Sequence, residues 1–181
     1  MEEGSMIALD LLVRWFHIVF GVMWIGLLYY FNFVQVGALA QANAEASTGG
    51  PGAASITKYV APRALFWFRW AALATWLTGA YYLMAAPQYS LLGAFSLSMG
   101  AGNLGLTSLG LGAWLGTIML FNVWVLIWPN QKKILGIVPA TDPEKASARR
   151  LAFLASRTNT ALSIPMLMFM QAGAHGLPFF S

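Results

Sequence analysis

Four apolar segments alternate with more polar stretches along the chain, at residues 6–38, 62–86, 109–128 and 150–174. About 20 apolar residues are enough to cross the hydrocarbon core of a bilayer as an α-helix. In lipid, the backbone N–H and C=O groups must be satisfied within the segment, which favours helices. We therefore predict an all-α integral membrane protein, a four-transmembrane-helix bundle that forms a single membrane domain over residues 1–181.

The stretches between these segments differ in character. Residues 41–59 are polar and contain Gly and Pro, which is typical of a flexible loop. Residues 87–108 are uncharged and rich in Gly and Ser, so a surface loop, a re-entrant segment and an interfacial helix all remain open. Residues 129–149 are basic, and a Thr-Asp-Pro-Glu run within them predicts the start of a helix with Asp142 as its cap.

Composition supports a membrane location. Soluble domains have about 25% charged residues, whereas this chain has 9% charged and 59% hydrophobic residues. The chain has no cysteine, which excludes disulfides, thiolate zinc sites, iron–sulfur clusters and a covalently attached c-type haem. The net charge of +4 does not indicate a nucleic-acid partner, because its distribution is better explained by membrane orientation.

The basic residues predict that orientation. Of the ten Lys and Arg residues, only Arg14 falls on the side of the membrane opposite to the first and third loops. Basic residues favour the cytoplasmic side. We therefore expect a multi-pass protein of the bacterial cytoplasmic membrane with both termini in the periplasm. The residues on the cytoplasmic side are Lys58, Arg63, Arg69, Lys132, Lys133, Lys145, Arg149, Arg150 and Arg157.

The two histidines are the leading candidates for a cofactor site. His17 lies near the start of the first segment and His175 at the end of the fourth. Antiparallel helices would place both at a similar depth near the outer face, as two axial haem ligands require. We predict a b-type haem whose iron is bound by these two residues. Gly21 and Trp24 follow His17 on nearly the same helical face, and a glycine beside a ligand leaves room for a flat ring.

Other interpretations of the same residues remain open. His175 could touch water at the interface, His17 could hydrogen-bond a neighbouring carbonyl, and Gly21 could serve close helix packing. Copper bound by the histidines with Met23 or Met170 is a less favoured alternative, because the methionines do not cluster at a metal-binding spacing.

A second polar set is predicted toward the cytoplasmic side. Its amides could bridge helices and its arginines could extend to the lipid headgroups. Alternatively, the set lines a pocket for a substrate or quinone. Its members are Asn32, Arg69, Asn122, Arg157 and Asn159.

Motifs in all four segments resemble the urate oxidase N-terminal membrane domain family. They are Arg14-Trp15-Phe16-His17 with Trp24-Ile25-Gly26-Leu27 and Tyr30-Phe31-Asn32-Phe33-Val34-Gln35; Ala64-Leu65-Phe66-Trp67-Phe68-Arg69-Trp70; Gly112-Ala113-Trp114-Leu115-Gly116 with Ile127-Trp128-Pro129-Asn130-Gln131; and Ala155-Ser156-Arg157-Thr158-Asn159-Thr160. The resemblance implies an integral membrane protein associated with urate oxidation, in which electrons leave through a C-terminal cytochrome c domain. This chain has no Cys-x-x-Cys-His, so we expect a short member without that domain.

Together these features predict a membrane b-type haem protein that acts in electron transfer. A bis-His haem has no free coordination site, whereas a haem with one His ligand would allow oxidase chemistry and make the chain an oxidoreductase. The alternative is a haem-free accessory subunit that packs within a larger respiratory or photosynthetic complex. The expected partners are the lipid bilayer, a second copy or a larger membrane complex, and a separate cytochrome c.

Overall fold

The structure is a computed structural model that describes residues 2–98 and 103–175, without the side chains of residues 2–7 and 174. No strand occurs among these described residues, so the predicted all-α class is confirmed. The α-helices are α1 (Glu2–Tyr29), α2 (Val36–Glu45), α3 (Ala61–Ala85), α4 (Leu91–Phe95), α5 (Leu104–Phe121), α6 (Trp128–Ile134) and α7 (Asp142–His175).

Three π-helical segments join or precede these helices in the described part of the chain. Tyr30–Gln35 connects α1 to α2, Ile56–Val60 leads into α3, and Asn122–Ile127 connects α5 to α6. Each predicted apolar segment therefore lies within a helical run that is longer than the segment itself, except that α3 ends one residue before position 86. The polar extensions stay helical because they are rich in Ala, Gln, Glu, Lys and Arg, which favour helix.

Two of the helical runs, Ala8–Thr48 and Leu104–Ile134, are long and apolar enough to cross a membrane. In α3, Arg69 and several tryptophans reduce the apolar character, and in α7 the amides of Asn159 and Gln171 do the same. Many large apolar side chains on the helices are exposed, for example Val22 at 69% and Ile164 at 67%. Apolar surface of this kind suits contact with lipid better than contact with water.

The chain divides into two compact units. The first unit comprises Met1–Gly21, Leu73–Leu120 and Ala161–Ser181, and the second comprises Val22–Ala72 and Phe121–Thr160. The single membrane domain predicted for residues 1–181 stays a prediction.

Small residues allow close helix packing in the first unit. A Cβ atom at Gly110 of α5 would overlap the backbone carbonyl of Ala94 in α4, so the two helices meet at that glycine. The Trp114 indole N–H donates to the Phe95 carbonyl over 2.9 Å and fixes the same contact. The predicted 87–108 connection thus contains a short helix packed on α5. Its residues 99–102 lie outside the described residues.

The second unit has a core of small and apolar side chains. Ala148, Ala152 and Ala155 follow one another along α7 at helical spacing, and all three are buried. Phe68 of α3 is also buried and meets the Phe31 ring edge-on, with the ring centroids 5.4 Å apart. The alanines leave room for neighbouring chain segments to approach α7 closely.

The start of α7 differs from the prediction by one residue. The Lys145 N–H bonds the Thr141 carbonyl over 2.9 Å, so Thr141 is the cap and Asp142 is the first helical residue. Glu144 accepts hydrogen bonds from the Thr141 backbone N–H at 2.7 Å and from its hydroxyl at 2.8 Å. The prediction of Asp142 as the cap is wrong, because a carboxylate three residues after the cap can satisfy the cap N–H.

Gly110→Ala is expected to lower the free energy of unfolding by about 3 kcal/mol, because the added methyl group must displace the α4 backbone. Gly116→Ala is the matched control at another buried glycine of the same helix, where an added Cβ meets no atom within 4 Å. The control should be neutral or stabilise by up to about 1 kcal/mol through higher helix propensity. Unfolding of the purified variants in detergent measures both changes, and equal stabilities would contradict the α4–α5 contact.

The hydrogen bonds from the Thr141 backbone and hydroxyl lower the pKa of Glu144 from its ordinary value. A lowered folded-state pKa means that the ionised carboxylate stabilises α7 fully above about pH 4.3. That contribution is lost as the pH falls through the lowered pKa. Glu144→Gln should therefore reduce the unfolding temperature at pH 7, and by less at pH 3. Thermal melts of both proteins at the two pH values measure this, and an equal deficit at both would contradict the ionic cap.

Candidate functional site

His17 is held against α3 in the first unit by a backbone hydrogen bond. Its Nδ1 lies 2.8 Å from the Thr75 carbonyl oxygen, and the ring is half-buried. The Thr78 hydroxyl lies 3.5 Å from the same nitrogen and donates to the Ala74 carbonyl at 2.6 Å. The alternative that His17 hydrogen-bonds a neighbouring carbonyl is therefore what the structure shows.

This hydrogen bond fixes the tautomer of the neutral ring. A carbonyl oxygen only accepts, so Nδ1 must carry the proton and Nε2 keeps its lone pair. Within the described residues, Nε2 of His17 has no hydrogen-bond partner. An N–H···O=C bond of this kind is also the usual way in which a protein orients a histidine that binds a metal. The hydrogen bond to Thr75 is therefore compatible both with a purely structural role of His17 and with a role as a metal ligand.

Gly79 makes room for the imidazole on α3. A Cβ at this position would lie 2.7 Å from Cε1 and 3.0 Å from Nδ1 of His17. Real Cβ atoms essentially never come so close, so Gly79 is required for the ring position. Sequence reasoning missed both Thr75 and Gly79. The signal available was the small and hydroxyl residues one turn apart in α3, at positions 75, 78 and 79.

The structure places the second predicted ligand in the same unit. His175 is the last described residue of α7, its side chain is exposed, and it belongs with His17 to the first unit. No contact joins the two rings among the described side chains. The pairing of His17 with His175 across a haem stays a prediction.

Gly21 and Trp24, the other predicted cofactor residues, are separated by the division into units. A Cβ on Gly21 would meet only the Thr75 methyl group, at an ordinary 3.7 Å, so no neighbouring protein atom requires glycine there. Trp24 belongs to the second unit and is 2% exposed, and its indole N–H has no hydrogen-bond partner in the described structure.

Three amides of the predicted polar set bind within the second unit. The Asn122 amide donates to the Asn159 side-chain oxygen at 2.8 Å. The Asn32 amide donates to the Ser156 hydroxyl at 2.8 Å and to the Leu28 carbonyl at 2.9 Å. Asn122 and Asn32 both lie in π-helical segments, which orient them toward α7. These bonds are what helix-bridging amides make in an apolar bundle.

The two arginines of that set lie in different surroundings. Arg157 is exposed, and its guanidinium carbon lies 5.1 Å from the Phe153 ring centroid. Arg69 is half-buried among aromatic rings. No group of three or more His, Asp or Glu side chains that could hold a metal ion occurs in the described structure. This absence does not test a haem held by two histidines, because such a site needs only two protein ligands.

Comparison with known protein families identifies one match. The family model described as urate oxidase N-terminal matches residues 5–92 and 105–180. This match confirms the resemblance carried by the motifs of the four apolar segments. No curated protein and no solved structure matches the chain.

Gly79→Ala is expected to displace the His17 ring and lengthen its bond to the Thr75 carbonyl, at a cost of about 1–3 kcal/mol in stability. Gly21→Ala is the control, because its methyl group would make only an ordinary contact with Thr75. Unfolding in detergent measures the stabilities. Histidine NMR of the ¹⁵N-labelled protein measures whether Nδ1 remains the protonated nitrogen. If Gly79→Ala changes neither the tautomer nor the stability, Gly79 is not needed to make room for the His17 ring.

Proposed function

Because the chain belongs to the urate oxidase N-terminal family, we propose that it is a membrane redox protein that binds a b-type haem through His17 and His175. Its role is electron transfer, alone or as a subunit of a larger assembly. The hydrogen bond between His17 Nδ1 and the Thr75 carbonyl carries this proposal, because it leaves Nε2 available as a ligand. A bis-His haem supplies one-electron transfer without an open coordination site.

The residues of the first unit suit such a group. The Thr75 carbonyl binds Nδ1 of His17, and Gly79 leaves room for the ring beside α3. Gly21 has no side chain to obstruct a planar ligand beside His17. His175 belongs to the same unit, and its side chain is exposed.

We also propose that the chain crosses the bacterial cytoplasmic membrane four times, with both termini in the periplasm. Two helical runs have the length and apolar character of membrane spans. The exposed apolar side chains on α3 and α7, such as Trp67 and Ile164, support two further crossings. The basic residues of the first and third loops support the orientation.

The proposed partners follow from this role. Electrons that reach a haem near the outer face would pass to a separate cytochrome c or to another subunit. A second copy of the chain is a candidate for that subunit, and the mass of the protein in mild detergent tests it. A monomer mass would count against a homodimer.

The test of haem binding is a reduced-minus-oxidised visible spectrum of the protein purified from its native host. We expect a b-type α-band in the wild-type protein that is lost in His17→Ala and in His175→Ala, because each change would remove one of the two proposed haem ligands. Phe16→Leu is the control, because Phe16 is exposed beside His17 and has no ligand atom.

Each other outcome has a definite meaning. A haem band that survives both histidine changes would reject the ligand assignment. If the band is lost in His17→Ala but not in His175→Ala, His17 is the one histidine ligand in the wild-type protein. The haem would then have a coordination site open to oxygen chemistry. No haem in the wild-type protein would favour the haem-free accessory subunit of a respiratory or photosynthetic complex.

A further inference from the structure

Arg69 of α3 has two guanidinium nitrogens for which the described residues provide no acceptor. Its Nε and Nη1 atoms are buried and have no hydrogen-bond partner among the described residues. No described acid forms an ion pair with it. A buried charged donor without an acceptor is strongly unfavourable. The described residues supply no acceptor for these two nitrogens, so both remain able to donate to a bound ligand.

Aromatic rings surround the charge. The guanidinium carbon of Arg69 lies 3.7 Å from the Trp128 ring centroid, and the rings of Trp124 and Trp70 are each 5.9 Å away. The Phe66 ring is 5.6 Å away. Ring faces attract a cation electrostatically, but they offer no lone pairs to the N–H groups. We call Arg69, Phe66, Trp70, Trp124 and Trp128 the Arg69 cluster.

The Arg69 cluster contains a third unpartnered donor. The Trp124 indole N–H is buried and has no hydrogen-bond partner in the described part of the chain. Trp124 lies in the π-helical segment Asn122–Ile127, and Trp128 begins α6 directly after it. Single π-turns are uncommon and often occur at functional sites. The unsatisfied groups of the cluster are all donors, which complements a ligand rich in acceptors.

Ordinary exposure to headgroups does not explain Arg69. The Arg63 side chain is exposed, and it donates to the Tyr59 carbonyl. Arg69 differs because two of its three guanidinium nitrogens, Nε and Nη1, are buried and have no described hydrogen-bond partner. In the planar guanidinium, Nη2 shares one edge with Nε and another with Nη1, so an oxyanion bound at Nη2 would lie beside one of these two donors.

None of the described carboxylates in the second unit forms an ion pair with Arg69. Glu45 accepts from Gln41 at 2.8 Å, and Glu144 caps α7. Asp142 is exposed at the start of that helix. No described carboxylate of the second unit therefore supplies a counter-charge for Arg69, and an anion from outside the chain can take that place.

We propose that the Arg69 cluster is a binding site for an oxyanion, a phosphate or a carboxylate, that accepts hydrogen bonds from Arg69 and from the Trp124 indole. The oxyanion is either the headgroup of an anionic lipid or a free anion from the aqueous phase. The site lies wholly within the second unit. It does not depend on the haem assigned to the first unit.

The test is calorimetric titration of the full chain in a non-ionic detergent at constant ionic strength. The probes are sodium phosphate, sodium acetate and dihexanoyl phosphatidylglycerol. We expect saturable binding of at least one probe to the wild-type protein. Arg69→Gln should weaken it roughly tenfold or more, since hydrogen bonds to charged groups are the stronger kind. Arg63→Gln is the control and should bind as the wild type does.

Further variants keep the test decisive if Arg69→Gln does not fold. Trp124→Phe keeps an aromatic ring and removes the N–H donor, so the affinity should fall roughly threefold to tenfold. Arg69→Lys keeps the positive charge but loses the planar guanidinium with its paired N–H donors, so this variant should also bind the anion more weakly. Binding of phosphate or acetate identifies a free anion, and binding of phosphatidylglycerol alone identifies a lipid. No saturable binding, or binding unchanged in these variants, would overturn the proposal.

Discussion

Polar groups inside an apolar helical protein must find their partners within the protein, because the hydrocarbon core of a bilayer offers none. His17 satisfies this constraint through a backbone carbonyl, and Asn122 and Asn159 satisfy it through each other. Arg69 does not satisfy it within the described chain. The histidine and arginine carry the two proposals for the same physical reason: each keeps binding capacity that its protein neighbours leave unused.

The helical architecture could be predicted from the sequence to the extent that it depends on apolar length. Segments of 20 or more apolar residues indicate helices whatever their neighbours are, and each of the four lies in a helical run. Their polar ends could not be predicted, since Ala, Lys and Gln favour helix without an apolar signal. The cap of α7 was misplaced by one residue because Thr and Asp are both good caps and stand next to each other.

The candidate site was less predictable, for a different reason. His17 could be singled out because only two histidines occur in the chain. Its partner is a main-chain carbonyl, and every residue has one, so the side chain of Thr75 could not identify it as the partner of His17. Arg69 was placed in a polar set with Arg157, but only the structure distinguishes them. Arg157 is exposed, whereas two nitrogens of Arg69 are covered by aromatic rings whose positions depend on a π-turn.

That π-turn makes the aromatic surroundings of Arg69 depend on the length of the chain as well as on its side chains. A π-helical segment is an α-helix that holds one additional residue, so losing a residue from Asn122–Ile127 would restore regular α-helix. Each residue of an α-helix turns the chain by about 100°. A single-codon deletion within the segment would therefore change the angle about the helix axis between Trp124 and Trp128, both of which contact Arg69, without altering any of these side chains. The arrangement could thus be gained or lost in evolution by an insertion or deletion, a change that residue-by-residue comparison of aligned positions does not record.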